Sequence, residues 1–281
     1  MNAFKTALLL TSLSLLLLFG GAAIAGERGL TIALAFAVAM NGIAYFFSDK
    51  IALRMNGAQP VTREQAPRLY EITERLCGRA GIPLPKLYVI PQAAPNAFAT
   101  GRNPKNASVA VTAGLLELMN EEEVEGVIAH ELSHVKNYDI LTASVAATLA
   151  AAITWLAHMG RWAMIFSGRG NDRNGGGLGA LLMLILAPIA AVVIQLAISR
   201  QREYAADATA ARMVGHPFGL VKALEKLGGY NKRIPMDVQP ATASLFIVAP
   251  LGGGQAFLNL FSTHPPLEKR IEALRNMVVT R

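Results

Sequence analysis

Two histidines four positions apart, His130 and His134, lie in the run H-E-L-S-H. Residues four apart share one face of a helix about one turn from each other, so both imidazoles can bind one metal ion. Glu131 lies beside them, placed to act on a water molecule at that ion. The alternative is a polar helix that carries two surface histidines. Because the motif would arise by chance in well under about one per cent of such sequences, the pattern indicates a hydrolytic metal site.

A hydrolytic zinc site needs a third protein ligand and an open position for water. Glu203 is the candidate, because it begins a predicted helix and Asp207 follows four residues later on the same face. A carboxylate at position 207 can accept the free N–H of a ligating histidine and so fix its tautomer. The alternative for Glu203 is an exposed acid that pairs with Arg200 or Arg202.

The other histidines are weaker candidates for the third ligand. His158 lies at the far end of an apolar run, remote from His134, and His216 precedes Pro217 in a turn. We therefore expect one zinc ion per chain, with His130, His134 and Glu203 as ligands; two imidazoles and a carboxylate suit zinc but do not exclude another divalent ion.

The composition indicates a membrane protein, since hydrophobic residues make up 53% of the chain and charged residues only 16%. Four runs contain no charged residue or histidine, and each is about long enough to cross a bilayer. They are residues 7–25, 30–47, 140–157 and 178–199. We expect four transmembrane helices in two hairpins. The first run also imitates a signal peptide, but a second apolar run follows it closely, which favours a hairpin.

The net charge of +7 is explained better by membrane topology than by nucleic-acid binding. Most lysines and arginines near the apolar runs lie at the ends that we place in the cytosol, although the loop after residue 157 is also basic. Two runs separate His134 from Glu203, so both residues face the same side. At 1.5 Å per residue, the metal would lie on the order of 10 Å from the bilayer boundary.

The order of the segments predicts a division into four parts. Residues 1–50 and 140–199 form the two hairpins, residues 51–139 form a cytosolic part with the H-E-L-S-H helix, and residues 200–281 complete the metal site. Between the hairpins, Lys86–Ile90 and 108–112 have the composition of strands, and 96–101 that of an edge strand or a loop. The expected fold is a mainly α membrane protein with a cytosolic zincin-like α+β protease domain that carries a small sheet.

Local signals predict two helices of the soluble part. Thr62 and Gln65 have the spacing of a capping box, and Gly81 ends the helical periodicity that follows. Asn120 and Glu123 predict a second capping box at the start of the H-E-L-S-H helix. Cys77 is the only cysteine, which excludes an internal disulfide and is typical of a reduced compartment.

Four motifs in this order resemble the HtpX family of bacterial membrane zinc proteases and, more distantly, the CAAX prenyl endopeptidases. They are P-N-A-F-A-T-G from Pro95, H-E-L-S-H from His130, S-R-Q-R-E-Y-A-A-D from Ser199 and T-H-P-P-L-E-K-R-I from Thr263. The resemblance implies a multi-pass protein of the bacterial inner membrane with its active site on the cytosolic side. It also implies a zinc endopeptidase that hydrolyses membrane or misfolded proteins in stress-related quality control, with other quality-control proteases as partners. Residues 228–254 match no motif.

Two further site assignments follow from these motifs. The resemblance favours substrate contact through the backbone of Asn96, Ala97, Phe98, Ala99 and Thr100, which could pair with an extended peptide; a plain structural strand is the alternative. His264 precedes two prolines that hold its backbone extended, as would suit an imidazole presented to a developing oxyanion. A capping or core histidine explains that position nearly as well.

Three rival functions have weaker support. Cleavage inside the bilayer requires a metal motif within an apolar run, whereas acidic residues surround this one. A zinc transporter or sensor would bind the ion without hydrolysis and leave Glu131 without a task. A structural membrane anchor gives no reason for three converging ligands.

Overall fold

The computed structural model describes residues 2–151, 200–231, 236, 242–248 and 265–279. Most of them are helical. In chain order the helices are α1 (Asn2–Met55), α2 (Pro67–Ala80), α3 (Ala113–Leu118), α4 (Glu121–Lys136), α5 (Asp139–Ala151), α6 (Arg200–Val214), α7 (Phe218–Asn231) and α8 (Leu267–Arg275).

The strands are β1 (Gln59–Pro60), β2 (Lys86–Ile90), β3 (Ala97–Gly101) and β4 (Ala107–Thr112). They form one mixed sheet in the order β1-β2-β4-β3, in which only β2 and β4 run parallel. The two predicted strands are confirmed as β2 and β4. Residues 97–101 form an edge strand, which settles the choice between strand and loop.

Helix α1 folds back on itself. The side-chain amide of Asn41 donates a hydrogen bond of 2.8 Å to the hydroxyl of Ser14, although the two residues are 27 positions apart. A straight helix would separate them by about 40 Å. Gly26, with φ +58°, provides the left-handed conformation at which the chain reverses. The two apolar runs of α1 therefore form an antiparallel hairpin.

One helical segment within the described ranges, Gly26–Met55, is long and apolar enough to cross a membrane. Thr6–Phe19 and Asp139–Ala151 are shorter apolar helices. The fourth predicted run, 178–199, lies outside the described residues, as does the end of the third. The mainly helical fold with a small sheet is confirmed, and the number of membrane spans stays a prediction.

The H-E-L-S-H helix begins as predicted. The side chain of Asn120 accepts from the backbone N–H of Glu123, and the carboxylate of Glu123 accepts from the backbone N–H of Asn120. Helix α2 begins later than predicted, at Pro67. Gln65 does bond to the N–H of Thr62, but these residues form a turn before the helix. Gly81, with φ +68°, ends α2 as expected.

Each face of the sheet is covered by helices. Leu87, Val109 and Val111 project into the larger core, which they share with α2, α4, α6 and α7. Ile90 and Phe98 project to the opposite face, where the end of α1, the start of α5 and residues 245–246 cover them. Helix α4 therefore lies between the sheet and the later helices, and the late segments of the chain contribute to the site that α4 carries.

Two glycines let α4 and α7 approach closely. A Cβ atom on Gly126 would lie 2.4 Å from the backbone nitrogen of Leu220, and one on Gly219 would lie 2.1 Å from the carbonyl oxygen of Glu122. Larger residues would push the helices apart, because backbone atoms cannot yield as a flexible side chain can.

Candidate metal centre

Three side chains from two helices converge beneath the sheet. His130 and His134 project from α4, and Glu203 projects from the first turn of α6. The Nε2 atoms of the two histidines are 3.2 Å apart. The carboxylate oxygens of Glu203 lie 3.5 Å from Nε2 of His134 and 3.7 Å from Nε2 of His130. The predicted ligands are thus brought together, although 69 residues separate the second histidine from the glutamate in the sequence.

These distances fit a zinc ion. Bonds of 2.0–2.2 Å in a tetrahedral site place the donor atoms about 3.3–3.6 Å apart. The two imidazole nitrogens are 3.2 Å apart, and each faces a different oxygen of Glu203, at 3.5 and 3.7 Å. One donor atom from each residue lies within 4.8 Å of the other two. The donor set therefore has the chemistry of a zinc site, and its atoms are near enough to close around one ion.

The outer partners of the histidines explain why a cation is needed. Nδ1 of His130 lies 2.8 Å from the Asp207 carboxylate, and Nδ1 of His134 lies 3.2 Å from that of Asp139. A nitrogen that faces a carboxylate carries the hydrogen, so each ring in its neutral form presents its Nε2 lone pair to the other and to Glu203. Three electron-rich atoms in contact repel each other unless a positive charge, on a proton or a metal ion, lies between them.

The pKa of His134 also reflects the negative charge of the carboxylates around the metal centre. Burial lowers the pKa of His134, but the carboxylates of Glu203 and Asp139 outweigh burial and raise it to about 9. The field that would hold a proton on this ring also attracts a metal cation. His130 is fully enclosed, and burial lowers its pKa.

Glu131 is buried between α4 and the edge strand. Burial raises its pKa to about 7, and the backbone of Ala99 in β3 is hydrogen-bonded to the carboxylate. Among the described residues, its Oε1 atom has no hydrogen-bond partner. A carboxylate with a free oxygen and a pKa near neutrality has the properties of a general base.

Arg270 is a part of the site that the sequence analysis did not single out. It is fully buried, and its guanidinium donates two hydrogen bonds, of 2.8 and 2.7 Å, to the carboxylate of Asp207. It also donates to the carbonyl of Ile247 at 2.9 Å. Burial raises the pKa of Asp207, but Arg270 outweighs it and lowers that pKa to about 2. The signal was present, since Arg270 lies in the T-H-P-P-L-E-K-R-I motif.

Residues 246–248 lie along the outer edge of β3. The N–H of Ile247 donates to the carbonyl of Ala97 at 2.9 Å, and the side-chain amide of Asn96 donates to the carbonyl of Val248 at 2.9 Å. Phe98 packs edge-on against Phe246. Among the described residues, the cleft at the metal centre has a cavity volume of about 40 Å³. That is room for a few water molecules.

The side chains of the predicted substrate strand point into the protein. Asn96, Phe98 and Thr100 have no exposed surface. The hydroxyl of Thr100 lies 2.6 Å from that of Ser144 in α5. Backbone groups of Ala97 and Ala99 lie on the outer edge of the strand, and Ala99 lines the cleft at the metal centre.

The remaining histidines are not part of the described centre. His216 lies in the turn between α6 and α7, where it stacks on Phe218 and lies 3.9 Å from Glu122. His158 and His264 lie outside the described residues. Glu203 is not the exposed acid that the surface alternative required, because it is only 3% exposed, and Arg202 contacts Asp139.

Comparisons with known proteins agree with this arrangement. The model of peptidase family M48 matches residues 63–278, and the chain belongs to that family. Among curated proteins it is 56% identical to a protease HtpX homolog of Desulfatibacillum aliphaticivorans, over 97% of this chain and 89% of that protein. It is 52% identical to a protease HtpX homolog of Persephonella marina, over 99% of this chain and 98% of the relative.

A solved structure shares the fold at greater distance. Ste24p of S. mikatae is 21% identical, with a TM-score of 0.54 over 97% of this chain and 64% of the Ste24p chain. The chain is thus an HtpX-type protease of family M48, as its motifs predicted.

Proposed function

We propose that the protein is a zinc-dependent endopeptidase of the bacterial inner membrane, with its active site at the cytosolic face. The observation that carries this proposal is the convergence of His130, His134 and Glu203, whose donor atoms lie within 4.8 Å of one another, beside an oxygen of Glu131 that has no hydrogen-bond partner among the described residues. One zinc ion per chain would occupy this site.

The proposed reaction is hydrolysis of a peptide bond. When bound, the zinc ion would polarise the scissile carbonyl and lower the pKa of water at the site to about 7. Glu131 takes the proton from the attacking water and passes it to the nitrogen of the leaving amine. Asp207 holds the N–H of His130, which fixes the tautomer that can bind metal, and Arg270 holds Asp207.

The substrate would bind as an extended strand on the outer edge of β3. Backbone groups of Ala97 and Ala99 point to that edge, and Ala99 lies against the general base. Since Ile247 already bonds to Ala97, residues 246–248 must move before a strand can pair along the whole edge. The contribution of Asn96, Phe98 and Thr100 would be to hold the backbone in place.

His264 has a proposed role as the donor to the oxyanion, which rests on the sequence alone. Its neighbours Pro265 and Pro266 lead directly into α8, the helix that carries Arg270. Substitution His264→Gln should lower kcat by about 10²–10³ without loss of zinc, which separates this role from that of a metal ligand.

The proposed membrane arrangement is two hairpins, residues 1–50 and 140–199, with residues 51–139 and 200–281 in the cytosol. The antiparallel fold of α1 supports the first hairpin. The shared core of α2, α4, α6 and α7 supports one catalytic domain built from the two cytosolic parts. Substrates would be loops, tails or misfolded segments of membrane proteins near the lipid surface, as a quality-control protease under stress requires.

The proposal is tested with purified protein in detergent, by zinc analysis and by digestion of unfolded casein. Glu131→Gln should keep one zinc ion per chain and lose at least about 100-fold in activity, because only the base is removed. Glu203→Ala should lose zinc and activity together. Glu225→Gln, an exposed carboxylate of α7, is the matched control and should change neither.

Each rival function makes a different forecast in the same experiment. A zinc sensor or transporter would bind zinc without digesting casein, in the native chain as in Glu131→Gln. Full zinc occupancy in Glu203→Ala would place the third ligand elsewhere. Undiminished digestion by Glu131→Gln would contradict the assignment of the base.

A further inference from the structure

Asp139 lies against the second histidine of the metal centre. Its Oδ2 atom is 3.2 Å from Nδ1 of His134, and its Oδ1 atom is 3.3 Å from Nη1 of Arg202. The side chains of Asp139 and Arg202 are only 9% and 14% exposed. Both residues line the cleft at the metal centre.

The arrangement repeats the one at the first histidine. There, His130 donates to Asp207, which Arg270 holds from behind. Here, His134 faces Asp139, which Arg202 contacts through one guanidinium nitrogen at 3.3 Å, whereas Arg270 makes two hydrogen bonds to Asp207. Each imidazole thus has a carboxylate at Nδ1, and each carboxylate has an arginine.

The backbone pays a conformational cost to place Asp139 there. Helix α4 ends at Lys136, and Tyr138 follows with φ +59°, the one positive φ among the described residues other than glycine. A side chain in this conformation crowds the backbone, so residues other than glycine rarely adopt it. The turn redirects the chain within two residues, so that Asp139, the first residue of α5, lies beside His134.

We propose that Asp139 is a positioning residue for the metal ligand His134, that Arg202 orients it, and that this contact sets the affinity of the site for zinc. The inference rests on the proposed function, since it concerns the same zinc site. A carboxylate that accepts Nδ1–H keeps Nε2 free to bind the metal and makes it more basic. Because Asp139 begins α5 and Arg202 lies in the first turn of α6, the ends of two helices next to the apolar runs meet at this ligand.

An aspartate at the first position of a helix can also act as a cap, so the test must separate the two roles. Serine caps a helix about as well as aspartate, but its side chain is too short to reach His134. Asp139→Ser therefore removes the contact to the imidazole and keeps the cap. Asp139→Ala removes both.

The experiment measures zinc affinity in detergent by competition with a chelator, together with kcat and KM for a peptide and the thermal unfolding of the zinc-free protein. Asp139→Ser should bind zinc about 10–100-fold more weakly, with a lower kcat, an unchanged KM and the native unfolding temperature without zinc. Arg202→Met should weaken zinc binding in the same direction, and Glu225→Gln should match the native chain.

Two outcomes would overturn the inference, and they are distinguishable. If Asp139→Ser binds zinc as the native chain does while Asp139→Ala is less stable, Asp139 is only a cap. If the native chain binds no zinc at the site, the proposed function fails and the inference fails with it.

Discussion

At the residue scale, the metal donors were predictable because their spacing is a local property. The H-E-L-S-H run fixes two imidazoles and a carboxylate on one helix, whatever the rest of the fold does. Glu203 could be proposed because an acid with a second acid four residues later has few other uses next to an apolar run. All three donors lie together in the structure.

The charged residues around the donors could not be assigned in the same way. Arg270 and Asp139 make contacts that form only when α8 reaches α6 and when the turn at Tyr138 redirects the chain. The sequence does not show which residue a single arginine or aspartate contacts in the folded protein. Its membership of a motif shows that the position matters but not what the side chain touches.

Arg270 should be far more important for stability than a surface arginine on the same helix. Arg270→Met removes the partner of a buried carboxylate, so the free energy of unfolding should fall by about 3–5 kcal/mol. Arg275, which pairs with Glu225 at the surface, is the matched control. Arg275→Met should change the free energy of unfolding by less than about 1 kcal/mol. Urea unfolding in detergent, followed by circular dichroism, measures both; equal losses would contradict the role of Arg270.

At the element scale, the strands and the start of α4 followed from composition and caps, whereas the start of α2 did not. Gln65 bonds to Thr62 as in a capping box, yet Pro67 sets the first helical residue. The sequence also did not predict that residues 246–248 cover the outer edge of β3, because that segment matches no motif. Its place depends on Arg270 and Asn96, which bond to its backbone.

The close approach of α4 and α7 gives a test of packing at this scale. Gly126→Ala would place a methyl group 2.4 Å from the backbone of Leu220, so the helices must separate. We expect a loss of about 1–3 kcal/mol in stability, with lower peptidase activity because α4 carries the metal ligands.

Gly78→Ala is the matched control for this substitution. Gly78 lies in α2, and a Cβ atom there would have no neighbour within 4 Å. This variant should be more stable by about 0.5–1 kcal/mol, because alanine favours the helix. Thermal unfolding followed by circular dichroism compares the two; a neutral Gly126→Ala would show that α4 and α7 can move apart freely.

At the scale of the whole molecule, the fold class was predictable and the number of spans is untested. Hydropathy identifies apolar runs of sufficient length, but only the first hairpin and the start of the third run fall among the described residues. A hairpin of the runs 7–25 and 30–47 was expected, because the second apolar run follows the first closely. The structure adds the hydrogen bond that holds the arms together.

The proposed topology can be tested with single cysteines, because the native thiol is inert. Cys77 is buried, and burial raises its pKa to about 11. Arg28→Cys, at the tip of the first hairpin, should react with an impermeant maleimide added to spheroplasts. Glu225→Cys should react only after the inner membrane is permeabilised. The reverse pattern would invert the topology, and labelling of both from one side would exclude a spanning hairpin.

The hydrogen bond between Thr100 and Ser144 also bears on which peptide bonds the enzyme can reach. It joins the edge strand to α5 five residues after Asp139, and Phe98 shares a buried cluster with Ala147 of that helix, so the strand is packed against α5. If α5 enters the bilayer as proposed, the cleft is held at one height above the lipid. The enzyme would then select a cleavage position by the distance of the peptide bond from the last lipid-embedded residue of the substrate. The side chains next to that bond would matter less.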